Sequence, residues 1–185
     1  PFSNTRSVVE LAIAEIILLM RNLPDKVRMM HEGKWRKSAS GSFEIRGKTL
    51  GIVGYGKIGS QLSVLAESVG MKVQYYDMEE KLALGNAKRC SSLKELLETS
   101  DAVSLHVDGR PENHMIIGSD QFDQMKDGVV FINLSRGHVV DVDALAKAIE
   151  NGKVHGASID VFPEEPLSND HPFESPLIGL NNLIL

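Results

Sequence analysis

Residues 47–77, GKTLGIVGYGKIGSQLSVLAESVGMKVQYYD, leave few folds open to this chain. A short apolar run over 50–53 leads into Gly54, Gly56 and Gly59, spaced G-x-G-x-x-G. From Ser60 to Val69 the apolar residues Leu62, Leu65, Ala66 and Val69 fall at helical spacing, and Gly70 closes the helix. Residues 72–76 resume as a strand that ends on Asp77. Each part has a physical job. Gly54 permits the sharp turn out of the strand, Gly56 lets a pyrophosphate approach the backbone, and Gly59 lets helix and strand pack closely. The helix N-terminus offers unpaired N–H groups and the positive end of its dipole to phosphates. Asp77, at the tip of the second strand, can accept from a ribose diol, and its charge repels a 2′-phosphate. The stretch therefore predicts NAD rather than NADP. Glu79 and Glu80 add to that repulsion.

The rest of the chain repeats the strand–helix alternation. Strands are expected at 102–106, 129–134, 154–160 and 182–185, with helices at 92–98, 119–125 and from 141 or 142 to 151. That order predicts an α/β fold, a doubly wound parallel sheet with right-handed crossovers, that is, a Rossmann-type NAD(P)-binding domain. Ahead of it, residues 4–22 read as a helix opened by a capping box of Ser7 and Glu10. One face carries Val8, Leu11, Ala12, Ile16 and Leu19, and a second carries Val9, Ile13, Ile17 and Met20. A helix apolar on two faces needs two partners. One is its own domain; the other is expected to be a second subunit, making a homodimer or higher oligomer. Pro24 and Asp25 are expected to break the chain before a helix at 26–32. The basic run Lys34-Trp35-Arg36-Lys37 reads as a surface loop with Trp35 filling a groove, or as an anion contact near an active site.

Bulk properties exclude several classes. The 185 residues carry a net charge of −5, against a broad basic face for nucleic acid. The apolar run 11–20 contains Glu15 and is too short to span a bilayer, so no membrane partner is expected. A single cysteine, Cys90, allows no internal disulfide and fits a reducing, cytoplasmic compartment. It reads as a small buried apolar residue. The histidines show no metal-ligand spacing, and no metal is expected.

In a parallel sheet, ligands bind beyond the carboxyl ends of the strands. The strand ends present Asp77, His106, Arg136 and Asp160, with Glu165 five residues further on. Arg136 could clamp a carboxylate bidentately, although an arginine in a turn can equally cap a helix. Asp160 could accept from a carboxamide or cap the next turn. Glu165 could orient a histidine or be loop charge.

The motifs GKTLGIVGYGKIG, SLHV, INLSRGHVVD and GASIDVFPEEP, taken in that order, resemble the D-isomer-specific 2-hydroxyacid dehydrogenases. The resemblance implies an NAD-dependent oxidoreductase acting on a small 2-hydroxy acid. It implies that Arg136 binds the substrate carboxylate and activates its carbonyl. Glu165, not Glu164, pairs with the catalytic histidine, and Asp160 contacts the nicotinamide. Lys57 and Ile58 lie under the pyrophosphate, while Val107, Leu134 and Ser135 line the nicotinamide side. The family's catalytic histidine follows an N-x-L-L strand, which places it beyond Leu185. The chain is therefore expected to hold NAD without turnover, as an insert of a longer two-domain enzyme. Residues 1–46 would form its helical dimerisation and crossover segment, and residues 47–185 its dinucleotide-binding core. Two departures stand out: Asp108 replaces the family's usual Pro, and Asn113 its usual Thr. The resemblance leaves the particular 2-hydroxy acid open. It also leaves open an NAD-sensing module like the co-repressors that share the fold.

Overall fold

A computed structural model describes residues 4–168 and 170–185. The elements run α1 (Thr5–Met20), α2 (Leu23–His31), β1 (Thr49–Val53), α3 (Lys57–Ser68), β2 (Lys72–Tyr76), β3 (Lys88–Arg89), α4 (Leu93–Thr99) and β4 (Ala102–Leu105). They continue with α5 (Ser119–Gln124), β5 (Val129–Asn133), α6 (Val142–Glu150), β6 (Val154–Ile159) and β7 (Leu183–Ile184). The strands form one sheet in the order β3-β2-β1-β4-β5-β6-β7, every pair parallel. The expected doubly wound fold is therefore present, and the strand order reverses between β1 and β4.

Strand alternation sorts the core into two layers. Leu50, Ile52, Val73, Tyr75, Val130 and Ile132 point to the face covered by α1 and α3. Val53, Val103, Leu105, Val129, Phe131 and Ala157 point to the face covered by α4, α5 and α6. Gly51 marks where α4 comes closest: a Cβ there would sit 2.6 Å from a Leu96 methyl and 2.1 Å from the Ser100 hydroxyl. Cys90 is buried as expected, and burial pushes its thiol up to about 11, which makes it inert at neutral pH.

Helix α1 lies across α3, β5 and β6. It buries one broad face of Val9, Ala12, Ile13, Ile16, Leu19 and Met20, and leaves Leu11, Ile17 and Leu18 in solvent. The two expected faces thus merge into one covered and one bare. The Ser7–Glu10 capping box does not form. The helix already begins at Thr5, so Ser7 lies inside it. The Ser7 hydroxyl donates to the Asn4 carbonyl, and Glu10 takes the Arg6 guanidinium at 2.6 Å. Pro24 does not break the chain before α2 but sits inside its first turn, where its missing N–H costs nothing. The turn is made instead by Asn22, at φ 53°. Trp35 fills no groove; it is 78% exposed.

Asn182 ties the far end of the sheet to this helical segment. Its side-chain amide donates to the carbonyls of Leu19 and His155 at 3.1 and 3.0 Å, and its N–H donates to Asp25 at 2.9 Å. Gly156 makes room for it: a Cβ there would lie 2.3 Å from the Asn182 amide nitrogen.

Candidate dinucleotide site

The glycine turn behaves as its spacing predicts, with one refinement. Gly54 adopts φ +91°, and a Cβ on it would meet the His106 carbonyl oxygen at 2.6 Å. Gly59 presses α3 onto β1, since a Cβ there would lie 2.2 Å from the Gly54 carbonyl oxygen. Gly56 differs from both: a Cβ on it would meet nothing within 4 Å. Its lack of a side chain serves no contact inside the chain, so the open space above it is available to a ligand. Helix α3 starts at Lys57, three residues earlier than the apolar pattern suggests, with Gly56 as its N-cap. Lys57, Ile58 and Gly59 therefore form its first turn. That turn lies at the positive end of the helix dipole, where an anion is favoured.

Asp77 stands at the end of β2 and is already engaged. One carboxylate oxygen accepts the Tyr55 N–H at 2.7 Å and the other the Glu79 N–H at 2.9 Å. These bonds stitch the end of β2 to the glycine turn, and each oxygen keeps a lone pair for a further donor. Tyr55, the residue between the first two glycines, was not singled out from sequence. It is buried, stacks on Tyr75 at 3.7 Å between ring centroids, and shares a 2.7 Å hydrogen bond with Ser63. Its hydroxyl also accepts from the Leu84 N–H, so it anchors the loop after β2. The signal was a pair of aromatics, one in the turn and one in the neighbouring strand.

A cleft opens where the strand order reverses. It is lined by Gly54 and Gly56 from the end of β1, Asp77 and Glu79 from β2, and His106 and Val107 from β4. His106 is almost enclosed at the end of β4. Its Nε2 shares a 2.9 Å hydrogen bond with Ser104, and burial pushes its pKa down to about 4. It is neutral at physiological pH.

Arg136, Asp160 and Glu165 do not line that cleft; they occupy the next positions along the same sheet edge. β5 ends in a turn organised by Asn133, another residue the sequence reading passed over. Its side-chain oxygen accepts from the Ser135 N–H and hydroxyl at 3.1 and 2.8 Å, and its amide donates to the Arg136 carbonyl at 3.0 Å. Leu134 and Ser135 are buried by this turn, while Arg136 is exposed. Its Nη1 donates to the Ser135 carbonyl at 2.7 Å, which leaves most of its donor fork for another group. Gly137 explains how the arginine and the Glu165 loop meet. A Cβ on Gly137 would lie 2.0 Å from the Phe162 carbonyl, so only glycine lets the V-F-P segment cross here. Asp160 follows β6 directly and donates its N–H to the Asn133 carbonyl at 3.2 Å. Glu165 is exposed in the loop beyond.

Behind Asp160 lies a group the sequence reading used only as a charge. Glu15 of α1 is 5% exposed, and its Oε2 is buried without a partner among the described residues. Burial raises its pKa, the Ser158 hydroxyl lowers it by hydrogen bonding, and the Asp160 charge raises it again.

Among the described residues no group of three or more His, Cys, Asp or Glu side chains could hold a metal ion, and no helix is long and apolar enough to cross a membrane. The space above Gly56, the donors of the first turn of α3 and the acceptor at Asp77 fit a dinucleotide in the orientation the fingerprint implies.

Comparison with known proteins agrees with this geometry. Residues 13–185 match the family described as D-isomer specific 2-hydroxyacid dehydrogenase, NAD binding domain. The chain is 56% identical over 185 residues to D-3-phosphoglycerate dehydrogenase of Haemophilus influenzae, covering 100% of this chain and 45% of that protein. It is 50% identical over 193 residues to D-3-phosphoglycerate dehydrogenase 1 of Saccharomyces cerevisiae, covering 100% and 41%. The chain thus spans a little under half the length of these curated relatives. Among solved structures it resembles an NAD-dependent formate dehydrogenase from Staphylococcus aureus in complex with NAD. The TM-score is 0.88 at 30% identity, covering 98% of this chain and 54% of that one.

Proposed function

The chain belongs to the D-isomer-specific 2-hydroxyacid dehydrogenases, as an NAD-binding domain, and from that premise we propose that its protein oxidises D-3-phosphoglycerate to 3-phosphohydroxypyruvate at the head of L-serine synthesis. The observation that carries the choice of substrate is similarity across all 185 residues to D-3-phosphoglycerate dehydrogenases. An acid such as glyoxylate or hydroxypyruvate, or an NAD-sensing role without turnover, has no comparable support.

The proposed chemistry assigns each strand end a task. Gly54, Gly56, Lys57, Ile58 and Gly59 hold the pyrophosphate, and Asp77 holds the adenosine ribose. Val107, Leu134, Ser135 and Asp160 position the nicotinamide, with Asp160 accepting from its carboxamide. Bound NAD supplies the hydride acceptor. Arg136 grips the substrate carboxylate through its free N–H groups, and its charge stabilises the developing negative oxygen at C2. Glu165 orients the imidazole that takes the hydroxyl proton. Because the Arg136 turn is organised by Asn133 and crossed by Phe162, the backbone that carries the guanidinium is fixed before substrate binds.

The same reading makes the protein an oligomer. The bare stripe of Leu11, Ile17 and Leu18 on α1 is the surface a second copy would cover. A cytoplasmic location fits the single buried thiol.

The deciding experiment supplies NAD and a panel of 2-hydroxy acids to the full-length protein and follows NADH formation. D-3-phosphoglycerate should give the highest kcat/KM, and Arg136→Ala should abolish most of it. Preference for another acid would refute the substrate assignment; no turnover of any acid would refute the enzyme reading.

A further inference from the structure

The departure at Asp108 has a structural account. After β4 the chain runs Asp108-Gly109-Arg110 where the family's pattern has a proline. Asp108 and Arg110 close on each other as a fork. Arg110 Nε donates to the two carboxylate oxygens at 2.8 and 3.1 Å, and its Nη2 donates to Oδ2 at 2.7 Å. Arg110 N–H adds a bond to Oδ1 at 3.3 Å. Asn113, the second departure, locks the turn by donating to both the Asp108 carbonyl and Oδ1 at 3.0 Å. The two unusual residues are thus one device.

The fork sits in the wall of the dinucleotide cleft. Asp108, Arg110 and Asn113 line it together with Asp77, Glu79 and Lys81. Arg110 feels the charge of Glu79, and Lys81 feels those of Asp77 and Arg110, so the four form one cluster at the ribose end. Both cations of that cluster are held by carboxylates: Lys81 by Glu79 at 2.5 Å and Arg110 by Asp108. A 2′-phosphate entering beside Asp77 would need a cation, and a guanidinium is the best geometric match for it.

We propose that Asp108 is a cofactor-specificity residue: by holding Arg110 in a closed fork it withholds the guanidinium that would otherwise pair with a 2′-phosphate. Discrimination against NADP then has two parts. Asp77 repels the extra phosphate, and Asp108 denies it a partner. The inference rests on the reading of this cleft as the adenosine site.

The test measures dissociation constants for NAD and NADP, by calorimetry at low ionic strength, on the unmodified chain and on Asp108→Asn, Arg110→Gln and the double variant. Asp108→Asn should lower the NADP-to-NAD ratio of dissociation constants by about fivefold, the scale of one exposed ion pair. The double variant should return the ratio to its original value. Arg110→Gln alone should leave it unchanged, because the guanidinium is already withheld. A ratio within twofold of the original in Asp108→Asn would overturn the proposal. So would a gain that survives in the double variant, or a loss of NADP affinity in Arg110→Gln alone. That last comparison still decides the matter if Asp108→Asn does not fold. Absence of NAD binding by the unmodified chain would instead bring down the reading of the cleft.

Discussion

Gly56 and Gly59 sit three residues apart in one motif, and the structure assigns them opposite responses to the same methyl group. In Gly59→Ala the new Cβ would lie 2.2 Å from the Gly54 carbonyl oxygen, more than an ångström inside the 3.4 Å of ordinary contact. The obstacle is backbone at a constrained turn, so the helix must move. Overpacking of this kind costs about 1–3 kcal/mol, which outweighs the ~1 kcal/mol by which Ala exceeds Gly in a helix. In Gly56→Ala the Cβ meets nothing within 4 Å, and φ is −80°, which any residue adopts. Loss of unfolded-chain entropy favours Ala by about 0.4–1 kcal/mol, while its poorer N-capping opposes it by a similar amount. The stability of Gly56→Ala should therefore stay within about 1 kcal/mol of the original, or roughly 2–4 °C. Its methyl instead fills the space a pyrophosphate would use. A loss of at least about tenfold in affinity corresponds to ~1.4 kcal/mol. Thermal unfolding with and without NAD reads both effects. At a hundredfold excess over the dissociation constant, NAD stabilises the original chain by about 2.7 kcal/mol. For a chain of this size that is an upward shift of roughly 5–11 °C, and in Gly56→Ala it should be halved or less. Gly59→Ala should melt lower even without NAD. An undiminished NAD shift in Gly56→Ala, or an unperturbed melt in Gly59→Ala, would refute the division of labour.

Three further outcomes are expected. Gly137→Ala drives a Cβ against the Phe162 carbonyl; it should cost about 1–3 kcal/mol in urea unfolding and loosen the Glu165 loop to proteolysis, and an unchanged cleavage pattern would count against the crossing. Burial raises the Glu15 pKa above the 4.5 of a free carboxyl. The folded chain therefore keeps a proton that the unfolded chain releases, and this contribution is complete below the unfolded pKa and is lost as pH rises through the folded one. Glu15→Gln removes the titration, so its stability relative to the original should climb as pH rises above the 4.5 of a free carboxyl; a stability difference that does not change with pH above that point would refute it. Leu18→Arg puts a charge in the bare stripe of α1 and should shift sedimentation from dimer toward monomer with little change in melting temperature, whereas a monomeric original would remove the dimer from the account.

Much of this molecule was legible because its local signals agree with one another. Leu50 to Val53, the three glycines and Asp77 state a strand, a turn, a helix start and an acid in the only order that builds this cleft. β5 was legible as a strand from its unbroken apolar run, but that run did not tell which residues face which layer; in the structure Val129 and Phe131 face one way and Val130 and Ile132 the other. What escaped the sequence depends on contacts between distant segments or on the exact aim of a side chain. Nothing local in INLSRG tells that Asn133 folds back on Ser135 and Arg136. The need for Gly137 comes from Phe162, and that for Gly156 from Asn182, each about 25 residues away. Asp108 looked like a misplaced charge until the fork to Arg110 and the Asn113 amide were visible. Ser7 and Glu10 had the right spacing for a capping box, but the helix begins two residues earlier, at Thr5, so Ser7 is not its N-cap.

If the glycine turn and Asp77 form an NAD site, calorimetric titration of this chain with NAD and then with NADP shows it most directly. One NAD should bind per chain, NADP should bind at least about tenfold more weakly, and Asp77→Ala should narrow the gap by weakening NAD. Equal affinity for the two cofactors, or no heat with either, would contradict it.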